Sequence, residues 1–510
     1  MADNTVNLTI DGKAVVAPKG MNLIEAAKLV GIEIPHYCYH PKLCIAGNCR
    51  MCLVDVGLPK LGADRKPEIG PDNKPVVMFG PKLAIGCNTS VAEGMVVLTK
   101  SPKVVKAREG VMEFLLINHP LDCPICDQAG ECRLQEFSVD YGKGQSRFVE
   151  EKVHKPKRTS LNAKITLDDE RCILCSRCIR FMRDVAGLDC LGFVNRGSYS
   201  TLTCYPGMEP KTNYDLNIVD ICPVGALTSN DFRFQQRVWF LKETKSICPN
   251  CATGCNTVLW SREGVVYRQT PRDNEAVNQC WMCDYGRLNY KFINDPNRLT
   301  MTQPWAETLR EIAGKLKRAK GVAVIGSARA TTEELFLLKQ LATAGAAVVP
   351  HTGAADKFLL TADRTPNMAG ARLVGFGDSL RAGEFTALVV LGEDAIPAEV
   401  LANVELLVAI DTLPTKTTAA AQYVLPGVTF AEKRGTFINA QNRMQRLNPA
   451  IPPLTGTKPE LEILSALLRE MDIANYATIE DVFADMARTI PALAGLNLSK
   501  ITDRGVEVKA

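Results

Sequence analysis

Arg171-Cys172-Ile173-Leu174-Cys175-Ser176-Arg177-Cys178-Ile179-Arg180 sets three cysteines two residues apart, and Cys222-Pro223-Val224-Gly225-Ala226 adds a fourth after forty-three more residues. An iron-sulfur cluster carries net negative charge and bare sulfides. It therefore favours a tight loop that places thiolates on iron and turns backbone N–H groups toward sulfur. Two intervening residues allow that turn, and a remote cysteine followed by proline closes the cage. Cys-x-x-Cys knuckles also bind zinc. Zinc ribbons usually pair two knuckles, however, whereas here three ligands are close and one is distant, the bacterial ferredoxin spacing.

Working outward, all nineteen cysteines lie between Cys38 and Cys283, and the last 227 residues hold none. An odd count in a reducing compartment favours metal ligation over a disulfide framework. Three further groups of four ligands can be drawn. The first is Cys38, Cys49, Cys52 and Cys87, with ten, two and thirty-four residues between them. The second is His119, Cys123, Cys126 and Cys132, spaced three, two and five. The fourth is Cys248, Cys251, Cys255 and Cys283, spaced two, three and twenty-seven. Cys44, Cys190, Cys204 and Cys280 are left over. Two alternatives stand on spacing alone. Cys44, Cys49 and Cys52 have the plant-ferredoxin interval, which would make Cys38 the spare. His119 before three cysteines also fits a zinc site or a helix cap. His36 and His40 either donate to cluster sulfur or fill the loop, while His154 sits in a basic linker and His351 in a turn. Arg171, Arg177 and Arg180 either balance cluster charge or form a solvated face.

At 510 residues the chain exceeds one core and implies roughly three to five modules. With 46% hydrophobic and 23% charged residues it has the composition of a soluble globular protein. A net charge of +4, with 38 basic and 33 acidic residues in 1–300 and 22 and 23 in 301–510, excludes a nucleic-acid polycation in either half. The longest stretch free of Asp, Glu, Lys and Arg is the sixteen residues 340–355, interrupted by Gly345, Pro350 and Gly353, so no direct membrane span is expected. Met1-Ala2-Asp3-Asn4-Thr5-Val6 has neither signal-peptide nor transit-peptide character, and a bacterial cytoplasmic location is expected.

The expected architecture is multidomain, α+β then α/β. Val6, Leu8 and Ile10, the turn Asp11-Gly12, and Ala14-Val15-Val16 predict a hairpin. A helix capped at Asn22, with Glu25 three residues on, follows and stops at Gly31. Residues 104–118 read as helical and 119–132 as a loop too polar to be core. The basic stretch 151–165 reads as a linker. From about 298 the texture is strand, turn and helix: 321–326, then Thr331-Thr-Glu-Glu334 as a capping box opening a helix to about Ala344. Buried strands are expected at 346–349, 387–391 and 406–410, the pattern of a doubly wound parallel sheet.

Several of these stretches together carry a family resemblance: His36-Tyr-Cys38-Tyr-His40-Pro41, Ala46-Gly-Asn-Cys49-Arg-Met-Cys52, Asn118-His119-Pro-Leu-Asp-Cys123-Pro-Ile-Cys126-Asp127, Arg171 to Arg180, and Asp220-Ile-Cys222-Pro-Val-Gly-Ala-Leu227. Residues 1–300 resemble the G-subunit family of bacterial respiratory complex I, NADH:quinone oxidoreductase. The resemblance implies a 2Fe-2S cluster on Cys38, Cys49, Cys52 and Cys87, leaving Cys44 spare. It implies 4Fe-4S clusters on His119, Cys123, Cys126 and Cys132, and on Cys172, Cys175, Cys178 and Cys222. As in some bacterial members, a third 4Fe-4S cluster maps onto Cys248, Cys251, Cys255 and Cys283, with Cys280 spare. It also implies five domains: 1–100, a 2Fe-2S ferredoxin-like β-grasp; 101–150, a His/Cys-ligated 4Fe-4S domain; 151–240, a 4Fe-4S ferredoxin-like domain; 241–297, a 4Fe-4S domain of molybdopterin-oxidoreductase type; and 298–510. This last part is similar to molybdopterin oxidoreductases through Thr417-Thr-Ala-Ala-Ala-Gln-Tyr-Val-Leu-Pro426 and Phe430-Ala-Glu-Lys-Arg-Gly-Thr-Phe-Ile-Asn439. It departs from the enzymes in being only about 210 residues long and in lacking a cysteine that could ligate molybdenum, so a degenerate α/β scaffold is expected.

The function so implied is an iron-sulfur relay in the peripheral arm, on the cytoplasmic side of the bacterial plasma membrane. Its partners would be a flavin/NADH-binding subunit, a 2Fe-2S thioredoxin-like subunit and downstream 4Fe-4S subunits that pass electrons to quinone, with no nucleic acid. No catalytic residue, molybdopterin, flavin or NAD is expected here, and no independent substrate site. Gly326-Ser-Ala-Arg-Ala lacks the dinucleotide pattern, and there is no Walker A sequence. The alternatives are a cluster-bearing subunit of a formate dehydrogenase or hydrogenase complex, and an assembly scaffold whose clusters only stabilise the fold.

Overall fold

The computed structural model describes residues 4–63, 65–71, 73–381, 383–394, 396–402 and 404–509. The chain divides into two compact units, Met1–Val238 and Trp239–Ala510.

In the first unit Val6, Leu8 and Ile10 alternate inward along the strand Thr5–Ile10. Asp11 and Gly12, both with positive φ, reverse the chain into Lys13–Pro18, the geometry a two-residue hairpin demands. The Asn22 side chain accepts from the Glu25 N–H at 3.1 Å and starts the helix Leu23–Lys28, which buries Leu23, Ile24, Ala26 and Ala27. Met95–Leu98 runs parallel to Thr5–Ile10 and antiparallel to Leu53–Pro59. The result is a mixed sheet with one helix on the shared core, the expected β-grasp. Two helices follow: Pro102–Leu116, with Ser101 as N-cap and Pro102 in the first turn, and Arg133–Tyr141.

The stretch 151–165 is not a free linker. Lys152 donates to the Leu116 and Ile117 carbonyls, and Lys157 pairs with Asp122 and Glu170 at 2.5 and 2.6 Å. Its end enters a three-stranded sheet of Thr159–Asn162, Ile165–Leu167 and Leu227–Ser229. Its lysines are therefore strap contacts to carbonyls and acids on neighbouring segments.

The second unit opens with the antiparallel strands Lys242–Ile247, Asn256–Arg262 and Val265–Pro271. Its larger sheet is all parallel, in the order Gly345–Val348, Val322–Gly326, Ala387–Leu391, Leu406–Asp411, Tyr423–Pro426. This is a doubly wound order with its switch point between the second and third strands. The Val322–Gly326 and Ala387–Leu391 strands are buried throughout, as parallel strands covered on both faces must be. Thr331 and Glu334 form the expected capping box on the helix Thr332–Leu341. That helix ends three residues early because the Thr343 and Ala344 N–H groups turn back to the Val322 carbonyl. Among the described residues no helix is long and apolar enough to cross a membrane.

Candidate cluster-binding sites

All nineteen cysteines are free thiols. In the first group Cys38 contacts Cys49 and Cys87, and Cys87 contacts Cys52, so the four sulfurs form one set. Arg50, between Cys49 and Cys52, holds a left-handed φ of 61°. Cys44 stands apart: it is exposed and its thiol donates to Asp184 at 3.0 Å. His36 is bonded through Nδ1 to the Ile34 carbonyl, and His40 Nδ1 accepts from the Lys42 N–H, so both serve the loop.

Cys172, Cys175, Cys178 and Cys222 line one cavity whose remaining wall includes Phe193, Leu202 and Leu227. Leu174 and Ser176, between the cysteines, have φ of 55° and 59°. L-residues enter this region at a cost and do so mainly at functional sites. The gain here is orientation of N–H groups: Leu174 donates to Cys172 Sγ at 3.4 Å, Arg177 N–H points to Cys175, and Val224, Ala226 and Leu227 N–H groups point to Cys222.

The second group lies against the third. Cys222-Pro223-Val224-Gly225 carries a third-group cysteine, and a Cβ on Gly225 would stand 2.3 Å from Cys126 Sγ. Cys132 Sγ lies 3.9 Å from the Pro223 carbonyl. Cys126 and Cys132 are buried and Cys123 is exposed, so the loop 119–132 is partly core despite its polar sequence. His119 is pushed down to about 4 by burial and the nearby Arg171 guanidinium, leaving a neutral imidazole at neutral pH. Arg171 also acts on the Cys126 thiol.

In the second unit Cys248, Cys251, Cys255 and Cys283 are all buried and act on one another electrostatically. Asn250 Nδ2 and the Gly286 N–H each donate to a sulfur, Cys248 and Cys283, at 3.3 Å. A Cβ on Gly286 would meet Cys248 Sγ at 3.0 Å, which explains the glycine. Cys280 is half-buried. Cys190 and Cys204 flank the hairpin of Leu191–Val194 and Thr201–Cys204 in the first unit.

Burial raises most of these thiols: Cys132 and Cys283 to about 11, Cys222 to about 12, and Cys178 and Cys255 well above the ordinary value. A thiolate in such a pocket needs a strong positive counter-charge, which iron supplies. Buried sulfurs ringed by backbone N–H donors therefore fit an anionic cluster. Among the described residues no group of three or more His, Cys, Asp or Glu side chains converges to hold a single metal ion.

Sequence reasoning missed a cavity of about 360 Å³ in the second unit, beyond the carboxyl ends of Val322–Gly326, Ala387–Leu391 and Leu406–Asp411. Ser327, Arg329, Gly392, Asp411 and Lys433 line it, and no cysteine does. Lys433 Nζ bonds Glu334 at 2.9 Å and Glu460 at 3.1 Å, a buried triad whose members lie far apart in sequence.

Family models match along the chain in the same order as the cysteine groups. A 2Fe-2S iron-sulfur cluster binding domain covers 3–102, an NADH-ubiquinone oxidoreductase-G iron-sulfur binding region 108–147, and an NADH-quinone oxidoreductase subunit 3 ferredoxin-like domain 162–228. A molybdopterin oxidoreductase Fe4S4 domain covers 241–295 and a molybdopterin oxidoreductase model 353–470. Two curated proteins, the G subunits of NADH-quinone oxidoreductase from Rickettsia felis and Rickettsia prowazekii, are 41% identical over 348 residues, 66% of this chain and 48% of theirs. The chain is a homologue of the NADH-quinone oxidoreductase G subunit. It spans about half the length of the curated relatives it matches. It carries 2Fe-2S- and 4Fe-4S-binding domains, each enclosing one of the cysteine groups. Among solved structures, an NAD+-reducing [NiFe]-hydrogenase in the H2-reduced state aligns at 24% identity over 46% of this chain and 91% of that one, with a TM-score of 0.38.

Proposed function

We propose that this chain is an electron relay of a respiratory NADH:quinone oxidoreductase. Cys38, Cys49, Cys52 and Cys87 would hold one 2Fe-2S cluster. Three 4Fe-4S clusters would sit on His119, Cys123, Cys126 and Cys132; on Cys172, Cys175, Cys178 and Cys222; and on Cys248, Cys251, Cys255 and Cys283. An iron-sulfur cluster takes up and releases one electron at a time. The chain's own residues supply the thiolates, the N–H donors to sulfur and the apolar walls that keep water out.

The observation that carries the reading is contiguity in the first unit. Arg180 bonds the Cys38 and Cys175 carbonyls together, and the loop from Cys222 to Gly225 rests on Cys126 and Cys132. The order first, third, second group is therefore a continuous path, which a fold-stabilising set of sites would not require. Partners would be a flavin/NADH-binding subunit upstream, a 2Fe-2S thioredoxin-like subunit, and 4Fe-4S subunits downstream, on the cytoplasmic side of the bacterial membrane. Iron and acid-labile sulfide analysis of the purified chain tests the cluster set. About fourteen irons per chain are expected, and zinc in place of iron and sulfide would defeat the proposal.

A further inference from the structure

Arg177 and Arg180 lie in the first turn of the helix Arg177–Asp184 and face the joint between the first and third groups. Arg180, 5% exposed, donates through Nη2 to the Cys38 carbonyl at 2.5 Å and to the Cys175 carbonyl at 3.3 Å. Its Nη1 reaches the Cys44 carbonyl and its Nε the Ser176 hydroxyl. Arg177 donates to the Tyr39 carbonyl at 2.5 Å and the Ile221 carbonyl at 3.0 Å, and its Nε is buried without a partner. Every acceptor is neutral.

Arg180 is buried and Arg177 half-buried, whereas several other buried cations have carboxylate partners. Arg171 has Asp122 and Asp168, Arg298 has Glu432, and Lys433 has Glu334 and Glu460. The acid on the same helix, Asp184, is taken by Arg183 and the Cys44 thiol. Asp184 acts on Arg180 without a hydrogen bond, and a buried cation whose acceptors are all neutral is unfavourable, so further negative charge is implied nearby. Arg177 stands close enough to act on Cys175, Cys222 and Cys38, which belong to both groups.

We propose that Arg180, seconded by Arg177, is an electrostatic joint shared by the first and third clusters: its carbonyl bonds fix the two ligand loops at one separation, and its charge raises both reduction potentials together. This rests on the relay reading. Reduction adds negative charge to a cluster, and a fixed cation in a poorly solvated site favours the reduced form of any cluster it faces. A cation facing two clusters moves both.

The test is a redox titration followed by electron paramagnetic resonance on the cluster-loaded full chain. Arg180→Gln should make each of the two clusters about tenfold harder to reduce, ~59 mV for one electron, with the second and fourth clusters moving less. Arg180→Lys should restore most of the shift, and Arg183→Gln, on the exposed side of the same helix, should move neither. If Arg180→Gln cannot hold its clusters, losing the first and third together with recovery of both in Arg180→Lys supports the joint. Loss of one alone overturns it. Both clusters intact with one or neither potential shifted also overturns it, while leaving the relay standing. Absence of the two signals in the unsubstituted chain would instead sink the relay reading itself.

Discussion

Cys38 and Cys44 share a loop but not an environment, and the proposed 2Fe-2S site gives them opposite roles. Cys38 is buried against Cys49 and Cys87, whereas Cys44 is exposed and bonded to Asp184. Cys44→Ser should leave the 2Fe-2S resonance signal intact, and Cys38→Ser should abolish it. His119 is held neutral by burial and Arg171. An imidazole in place of a thiolate removes one negative charge, so His119→Cys should keep a 4Fe-4S cluster at a lowered potential while His119→Ala should destabilise it; an unchanged titration in His119→Ala would make it a bystander. Glu333 illustrates a residue without a redox role. Burial lifts it from 4.5 to about 7, although it accepts from the Thr436 N–H and hydroxyl at 2.8 and 2.9 Å. Raised above its unfolded value, the carboxyl keeps its proton longer when folded, so its contribution is complete below about 4.5 and is lost as pH rises through about 7. Denaturation of the chain at pH 5 and 8 should show a loss of about 3 kcal/mol that Glu333→Gln removes. The cysteine groups could be drawn from the sequence because most of their intervals are short. Arg180 could not be placed, because its partners Cys38 and Cys44 lie far away in sequence, and spacing alone cannot tell a buried guanidinium from a solvated one.

At the scale of elements, the ligand loops are specified by conformations that sequence only hints at. Leu174, Ser176 and Arg50 take left-handed φ although none is glycine, so the turn that aims N–H groups at sulfur is imposed by the loop as a whole. The segment Cys222-Pro223-Val224-Gly225 serves two groups at once. Gly225→Ala should therefore weaken the second cluster more than the third, through a Cβ 2.3 Å from Cys126 Sγ, and cost about 1–3 kcal/mol of stability. Equal loss from both clusters, measured by resonance intensity, would contradict this. The opening hairpin, the Asn22 cap and the Thr331 capping box were readable because each depends on residues within a few positions. The strand Tyr423–Pro426 lay hidden inside a stretch noticed only for its resemblance, and the stretch 151–165 was misjudged because its lysines pair with acids elsewhere in the fold.

For the molecule as a whole, cysteine chemistry ends at Cys283, and the parallel sheet beyond it presents a cavity lined by apolar, polar and charged side chains and no thiol. Metal analysis of the purified complex should accordingly find iron in stoichiometric amount and no stoichiometric molybdenum or tungsten. The contiguous cysteine groups of the first unit make the stronger demand, since a relay must fill and empty its clusters during turnover, whereas a scaffold need not. The direct measurement is rapid freezing of the assembled complex after mixing with NADH, followed by electron paramagnetic resonance. The account predicts that the 2Fe-2S cluster on Cys38, Cys49, Cys52 and Cys87 and the 4Fe-4S cluster on Cys172, Cys175, Cys178 and Cys222 become reduced at least as fast as quinone is. Clusters that stay oxidised while quinone is being reduced would contradict it.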